Sequence, residues 1–208
     1  MEHVLIAPPH ARALYVLAHG AGAGMKHPFL ERIAQSLAAH NVATFRYEFP
    51  YMQAGKNRPD SPAVAQAAVR AAVVDAARVA PGLPIIAGGK SFGGRMTSQA
   101  QGAEPMPGVR GLAFLGFPLH PPGRPGVERA EHLSAIEIPM LFLQGTRDEF
   151  ATLDLLRGVV KRLGSRATLH LIEEGDHSFK VPKRTGKTES DVLEELATTI
   201  QQWADKNG

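Results

Sequence analysis

The chain has 208 residues and a formal net charge of +3, enough length for one domain to bury a substantial core and too little, too scattered charge for a nucleic-acid surface. Cysteine is absent, which excludes disulfides, thiolate metal sites and cysteine catalysis and leaves a reducing compartment as comfortable as any other, the cytoplasm being the default. Glu2 and Pro8-Pro9 interrupt the N-terminus before any apolar stretch of signal-peptide type, and no apolar run approaches the roughly 20 residues of a membrane helix, so no membrane association is expected.

Apolar runs ending in glycine or polar turns alternate with stretches of helical spacing. A short strand candidate, EHVLIA, precedes the first clear strand, ALYVLAHG. Phe29, Ile33 and Leu37 mark the helix that follows, at i, i+4 and i+8. VATFRYEF is the next strand, and the alanine-rich AVAQAAVRAAVVDAARVA the next helix, stopped by Pro81-Gly82. The strand LPIIAGG runs directly into Ser91, with a helix in GGRMTSQAQ after it. Then come the strand VRGLAFLGF, a proline-rich loop PLHPPGRPG, the strand PMLFLQG and a strand in LHLI. Val192, Leu196, Ile200 and Trp203 form the face of a last amphipathic helix. This alternation predicts one α/β domain over residues 1–208, with a mostly parallel central sheet and helices on both faces.

The stretch AGGKSFGGRM admits two readings. As a phosphate loop, G-x-x-x-x-G-K-[ST] ending at Ser91 requires glycine at position 84, where the chain has Pro84, and residues 85–87 look like strand interior. As a nucleophile elbow, Gly89-Lys90-Ser91-Phe92-Gly93 fits G-x-S-x-G between a strand and a helix. The pentapeptide alone could be an ordinary strand–helix connection, so its company decides. LAHGAGAGMKHP is not a dinucleotide fingerprint, but its loop can aim unpaired N–H groups at an anion, with Ala21 and Phe92 as oxyanion donors. Asp148 follows the strand LFLQG, with Glu149 as the fallback acid, and His177 follows the strand and turn LHLIEEGD. The order Ser91, Asp148, His177, each after a strand, is that of nucleophile, acid and base in this kind of hydrolase. Asp176 and Glu174 read as solvated charge, and the other eight histidines as bland surface residues. Lys90, Arg147 and Lys180 stand beside the three and could make the mouth cationic; His120 is either rim or loop packing.

LAHGAGAG, GGKSFGGRM, GFPLH, LFLQGTRDEFA and IEEGDHSF together resemble the small α/β-hydrolases related to dienelactone hydrolase, over about Leu14 to Trp203. The resemblance is strongest to a subgroup that includes a testis-expressed animal protein and the hydrolase-like domain of a chromatin-complex subunit. It implies a minimal, lidless α/β-hydrolase fold with Ser91, Asp148 and His177 as triad and Ala21 and Phe92 as oxyanion hole, and no cofactor or metal. Serine stands where dienelactone hydrolase has cysteine, so that enzyme's substrate does not transfer. The function expected is hydrolysis of small acyl esters or thioesters. The alternative is a hydrolase-fold binding module without turnover, since fold does not guarantee function.

Overall fold

The computed structural model describes residues 1–207. Seven strands form one sheet: β1 (His3–Ile6), β2 (Ala13–Ala18), β3 (Val42–Tyr47), β4 (Ile85–Lys90), β5 (Val109–Leu115), β6 (Met140–Gly145) and β7 (Ala167–Ile172), in the order β1-β3-β2-β4-β5-β6-β7. Only β1 is antiparallel to its neighbour, pairing His3 with Tyr47 and Ile6 with Thr44. The helices are α1 (Pro28–Ala39), α2 (Pro50–Gln53), α3 (Pro62–Val79), α4 (Phe92–Ala103), α5 (Leu153–Leu163) and α6 (Glu189–Asn207).

Both faces of the sheet are covered, which is why β2 reads as an unbroken apolar run and every residue of β2, β3 and β6 is buried, the polar Thr44, Arg46 and Gln144 included. Successive side chains of β2 separate into two cores. Leu14, Val16 and Ala18 pack with Val69 and Val73 of α3 and Met96 of α4. Ala13, Tyr15 and Leu17 pack with Ile33 and Leu37 of α1 and Ile200 and Trp203 of α6. Each fully buried large apolar side chain stabilises the fold by about 1.5–3 kcal/mol.

The order reverses at β2: the chain goes to β3 on one side and then crosses to β4 on the other. The loops leaving the C-terminal ends of β2 and β4 therefore splay apart over a crevice, the usual ligand position in an open α/β sheet. Two departures from the sequence reading bear on this frame. The segment 153–163, to which no element was assigned, is α5, anchored by Leu156, Val159 and Leu163. The proline-rich interval continues into a 3₁₀ turn, Glu128–Ala135, whose Ala130 and Leu133 are buried beside α4 and α5. That interval packs down onto the body and leaves the fold lidless. Among the described residues no helix is long and apolar enough to cross a membrane.

Candidate active site

β4 runs without a break to Lys90 and α4 begins at Phe92, leaving one residue, Ser91, to turn the chain. No segment remains for a phosphate loop. Ser91 has φ 50° and ψ −115°, a conformation that costs a residue with a Cβ of order 1–3 kcal/mol. The turn is held by Ser91 N–H donating to Leu115 O at 3.1 Å and Arg95 N–H donating to Ser91 O at 3.1 Å. The flanking glycines have a steric reason: a Cβ on Gly89 would lie 2.2 Å from Ala18 O, and one on Gly93 2.5 Å from His19 O. Both press against the end of β2, so the elbow and the loop after β2 are in backbone contact.

The loops after β6 and β7 bring Asp148 and His177 to the elbow. His177 Nε2 is 2.9 Å from Ser91 Oγ, and its Nδ1 is 2.7 Å from Asp148 Oδ2. With Nδ1–H donated to the carboxylate, the Nε2 lone pair faces the hydroxyl. Asp148 is only 5% exposed and fully hydrogen-bonded: Oδ1 accepts from Phe150 N–H at 2.8 Å, and Oδ2 also accepts from Gln144 Nε2 at 2.5 Å. The Phe150 ring lies against the imidazole, centroids 4.3 Å apart. Glu149, the fallback acid, is exposed. Asp176 is structural rather than merely solvated, accepting from Ser178 N–H at 2.8 Å and Lys180 N–H at 2.9 Å and so shaping the turn that carries His177. Glu174 pairs with Arg184 at 2.8 Å.

Gln144 was not singled out from the sequence. It is fully buried at the end of β6, and its Oε1 accepts from Phe117 N–H at 2.9 Å while its amide donates to Asp148, tying the acid to the end of β5. The available signal was a lone amide in an apolar strand.

The histidines need a correction: His19, read as a bland surface residue, is buried, and His132 is half-buried. His19 is 0% exposed: its Nε2 accepts from Phe49 N–H at 3.1 Å, so the proton sits on Nδ1, which donates to Gly20 O at 2.8 Å. Burial pushes its pKa down, keeping the ring neutral although Glu48 Oε1 is 3.0 Å from Nε2. Because a peptide unit is planar and trans, drawing the Gly20 carbonyl toward His19 sends Ala21 N–H the opposite way. The rest of this loop is fixed by Gly22 N–H donating to Tyr51 Oη at 2.8 Å and Arg46 Nη1 donating to Met25 O at 3.1 Å. His132 bonds Ser98 Oγ at 2.8 Å, and burial beside Arg95 pushes its pKa down to about 4. His120 is loop packing rather than rim, accepting from Thr152 N–H at 2.9 Å and donating to Pro121 O at 2.9 Å.

A cavity of about 320 Å³ opens above Ser91 and His177, walled by Ala21, Phe29, Leu30, Lys90 and Phe150. Among the described residues the N–H groups of Ala21, in the loop after β2, and of Phe92, the first residue of α4, have no hydrogen-bond acceptor. Of Lys90, Arg147 and Lys180, which the sequence allowed but did not require at the mouth, only Lys90 lines the cavity. Arg147 is exposed and lies 3.7 Å from Glu174, and Lys180 is exposed outside the cavity wall. The arrangement has what nucleophilic acyl chemistry requires: a hydroxyl on a strained turn, a base with its lone pair on that hydroxyl, a buried acid behind the base and free backbone donors.

A protein-family model described as an alpha/beta hydrolase domain matches residues 11–205. Among solved structures, the chain is similar to dienelactone hydrolase from Anabaena variabilis, with a TM-score of 0.72 and 19% identity over 99% of this chain and 91% of that one. It is similar to a serine hydrolase without a lid from Xanthomonas campestris, with a TM-score of 0.71 and 19% identity over 97% of this chain and 88% of that one. A serine hydrolase homologue from Coxiella burnetii gives a TM-score of 0.72 and 15% identity over 99% and 90% of the two chains. At these identities the likeness is one of fold.

Proposed function

The chain belongs to the alpha/beta hydrolase domain family, and from that premise we propose that it is a serine hydrolase that cleaves small acyl esters or thioesters through an acyl-enzyme on Ser91. The observation that carries the reading is the relay of 2.9 Å from Ser91 Oγ to His177 Nε2 and 2.7 Å from His177 Nδ1 to Asp148. Ser91 Oγ attacks the acyl carbon as its proton passes to His177 Nε2, and Asp148 holds the tautomer and stabilises the imidazolium. The oxyanion takes the free N–H groups of Ala21 and Phe92. Collapse of the tetrahedral adduct breaks the acyl bond, His177 returns the proton to the leaving alcohol or thiol, and water releases the acyl group by the same route in reverse. No cofactor enters the scheme.

The cavity is at the small end of the usual range of about 300–1,000 Å³, which favours short acyl groups and carboxylesterase or thioesterase chemistry. The relation to the dienelactone-hydrolase-like enzymes, the narrower affinity to the testis-expressed subgroup, a one-domain organisation and a cytoplasmic setting belong to the same proposal. The test is hydrolysis of p-nitrophenyl acetate and a small thioester panel by the wild type and Ser91→Ala. The wild type turns over, and Ser91→Ala folds but loses the activity by at least about 10³-fold. Undiminished turnover in Ser91→Ala would refute the assignment.

A further inference from the structure

Lys90, the residue that makes the elbow look like a phosphate loop, has no part in the chemistry just described. Its side chain turns from the end of β4 toward the loop after β7, where Nζ donates to the backbone carbonyl of His177 at 2.6 Å. The ammonium also lies 5.4 Å from the centroid of the Phe179 ring. A methyl placed on Gly116 would meet Lys90 Nζ at 3.0 Å and both Asp148 Oδ2 and His177 Nδ1 at 3.5 Å, so the three groups gather around one point at the end of β5. Among the described residues no carboxylate pairs with it directly; Asp148 and Asp176 act on it only through space. The charged and titratable groups around it are Asp148 from the loop after β6 and Asp176 and His177 from the loop after β7, with His27 at the start of α1 on the far cavity wall.

We propose that Lys90 is a positioning residue for the reaction: its ammonium pins the backbone of His177 so that Nε2 meets Ser91 Oγ. This rests on the serine-hydrolase reading of the site. It follows from the 2.6 Å bond, which fixes the residue carrying the base from the strand carrying the nucleophile.

The charge is held against its own stability. Burial pulls the Lys90 pKa down from 10.5 to about 8, the nearby carboxylates offsetting only part of the shift. Between these values the unfolded chain binds the proton that the folded protein has released, so stability rises with pH across that window and the buried cation is destabilising below about 8. A side chain serving packing alone would not need to be a lysine there.

The test compares Lys90→Met, which removes bond and charge, with Lys90→Gln, which keeps a donor and loses the charge. Three quantities are read: the NMR signals of the His177 backbone and ring, kcat and KM for p-nitrophenyl acetate, and thermal unfolding. In Lys90→Met the His177 signals move from their wild-type positions, and in Lys90→Gln, which keeps a donor, they move less. In Lys90→Met kcat also falls about tenfold, the rate equivalent of one charge-assisted hydrogen bond, with KM changed less than about twofold. Lys90→Gln retains more of kcat than Lys90→Met. Lys90→Met melts no lower than the wild type at pH 7, and the comparison tilts back toward the wild type above about pH 8. Wild-type kcat with unmoved His177 signals in folded Lys90→Met would overturn the proposal. Should the wild type hydrolyse nothing, the serine-hydrolase reading fails while the His177 signals still decide the placement of Lys90.

Discussion

Asp148 and Glu149 are adjacent carboxylates with opposite fates, and the contrast makes a sharp test. Asp148 is buried and accepts from His177, Gln144 and Phe150, whereas Glu149 faces solvent. Asp148→Asn removes the charge that stabilises the imidazolium and offers an amide donor where an acceptor is needed, so kcat falls by about 10⁴-fold with KM little changed. Glu149→Gln leaves kcat within about twofold, as surface changes usually do. Steady-state kinetics on the two variants, at equal folded protein by circular dichroism, separates them; the reverse ranking would put the wrong acid in the relay. That Ser91, Asp148 and His177 would meet was legible in the sequence, because each follows an apolar run and the three stand in a diagnostic order. His19 and Gln144 were not, because a buried polar residue is known by its partners. His19 is bonded to Phe49, 30 residues on, and Gln144 to Phe117, 27 residues back, and nothing local distinguishes either from a polar residue at a strand end.

Among elements, the elbow is the one whose sequence is dictated at backbone level. A Cβ at Gly93 would stand 2.5 Å from His19 O and 2.7 Å from Ala18 Cβ, with no flexible side-chain end to yield. Gly93→Ala therefore forces α4 away from β2, at about 1–3 kcal/mol if the shift is tolerated. For a protein of this size that lowers Tm by about 2–4 °C per kcal/mol. Moving the start of α4 also displaces Phe92 N–H, so activity falls further than the loss of folded protein explains. A Gly93→Ala protein with wild-type Tm and kcat would show that the contact is not tight. The strands and long helices were readable from periodicity, since both sheet faces are covered and the central strands are largely apolar. α5 escaped notice although Leu156, Val159 and Leu163 have helical spacing, because it begins five residues after Asp148 in a segment read for chemistry. The antiparallel direction of β1 has no signature in four residues; it comes from pairing with β3.

At the scale of the molecule, the reversal of strand order at β2 places the loop carrying Ala21 beside the elbow, a relation that alternating strands and helices cannot reveal by themselves. On the proposed function, the same architecture sets an expectation for the substrate. The interval between β5 and β6 packs its Ala130 and Leu133 inward and contributes no wall to the cavity, so a long acyl chain finds no apolar roof. Burial at about 0.8 kcal/mol per methylene accumulates over only the first few carbons. Across p-nitrophenyl esters from acetate to palmitate, kcat/KM should peak at short chains and show no rise at the micellar interface. A preference for palmitate would reveal an acyl tunnel that the packed-down segment excludes.

The central claim is that Ser91, alone among the eight serines, is the nucleophile. Its most direct measurement is peptide mapping by mass spectrometry after treatment with a fluorophosphonate at neutral pH. The account predicts one stoichiometric adduct on the peptide containing Ser91, lost in Ser91→Ala and greatly slowed in His177→Gln. An adduct on a different serine, or no adduct on a folded protein, would contradict it.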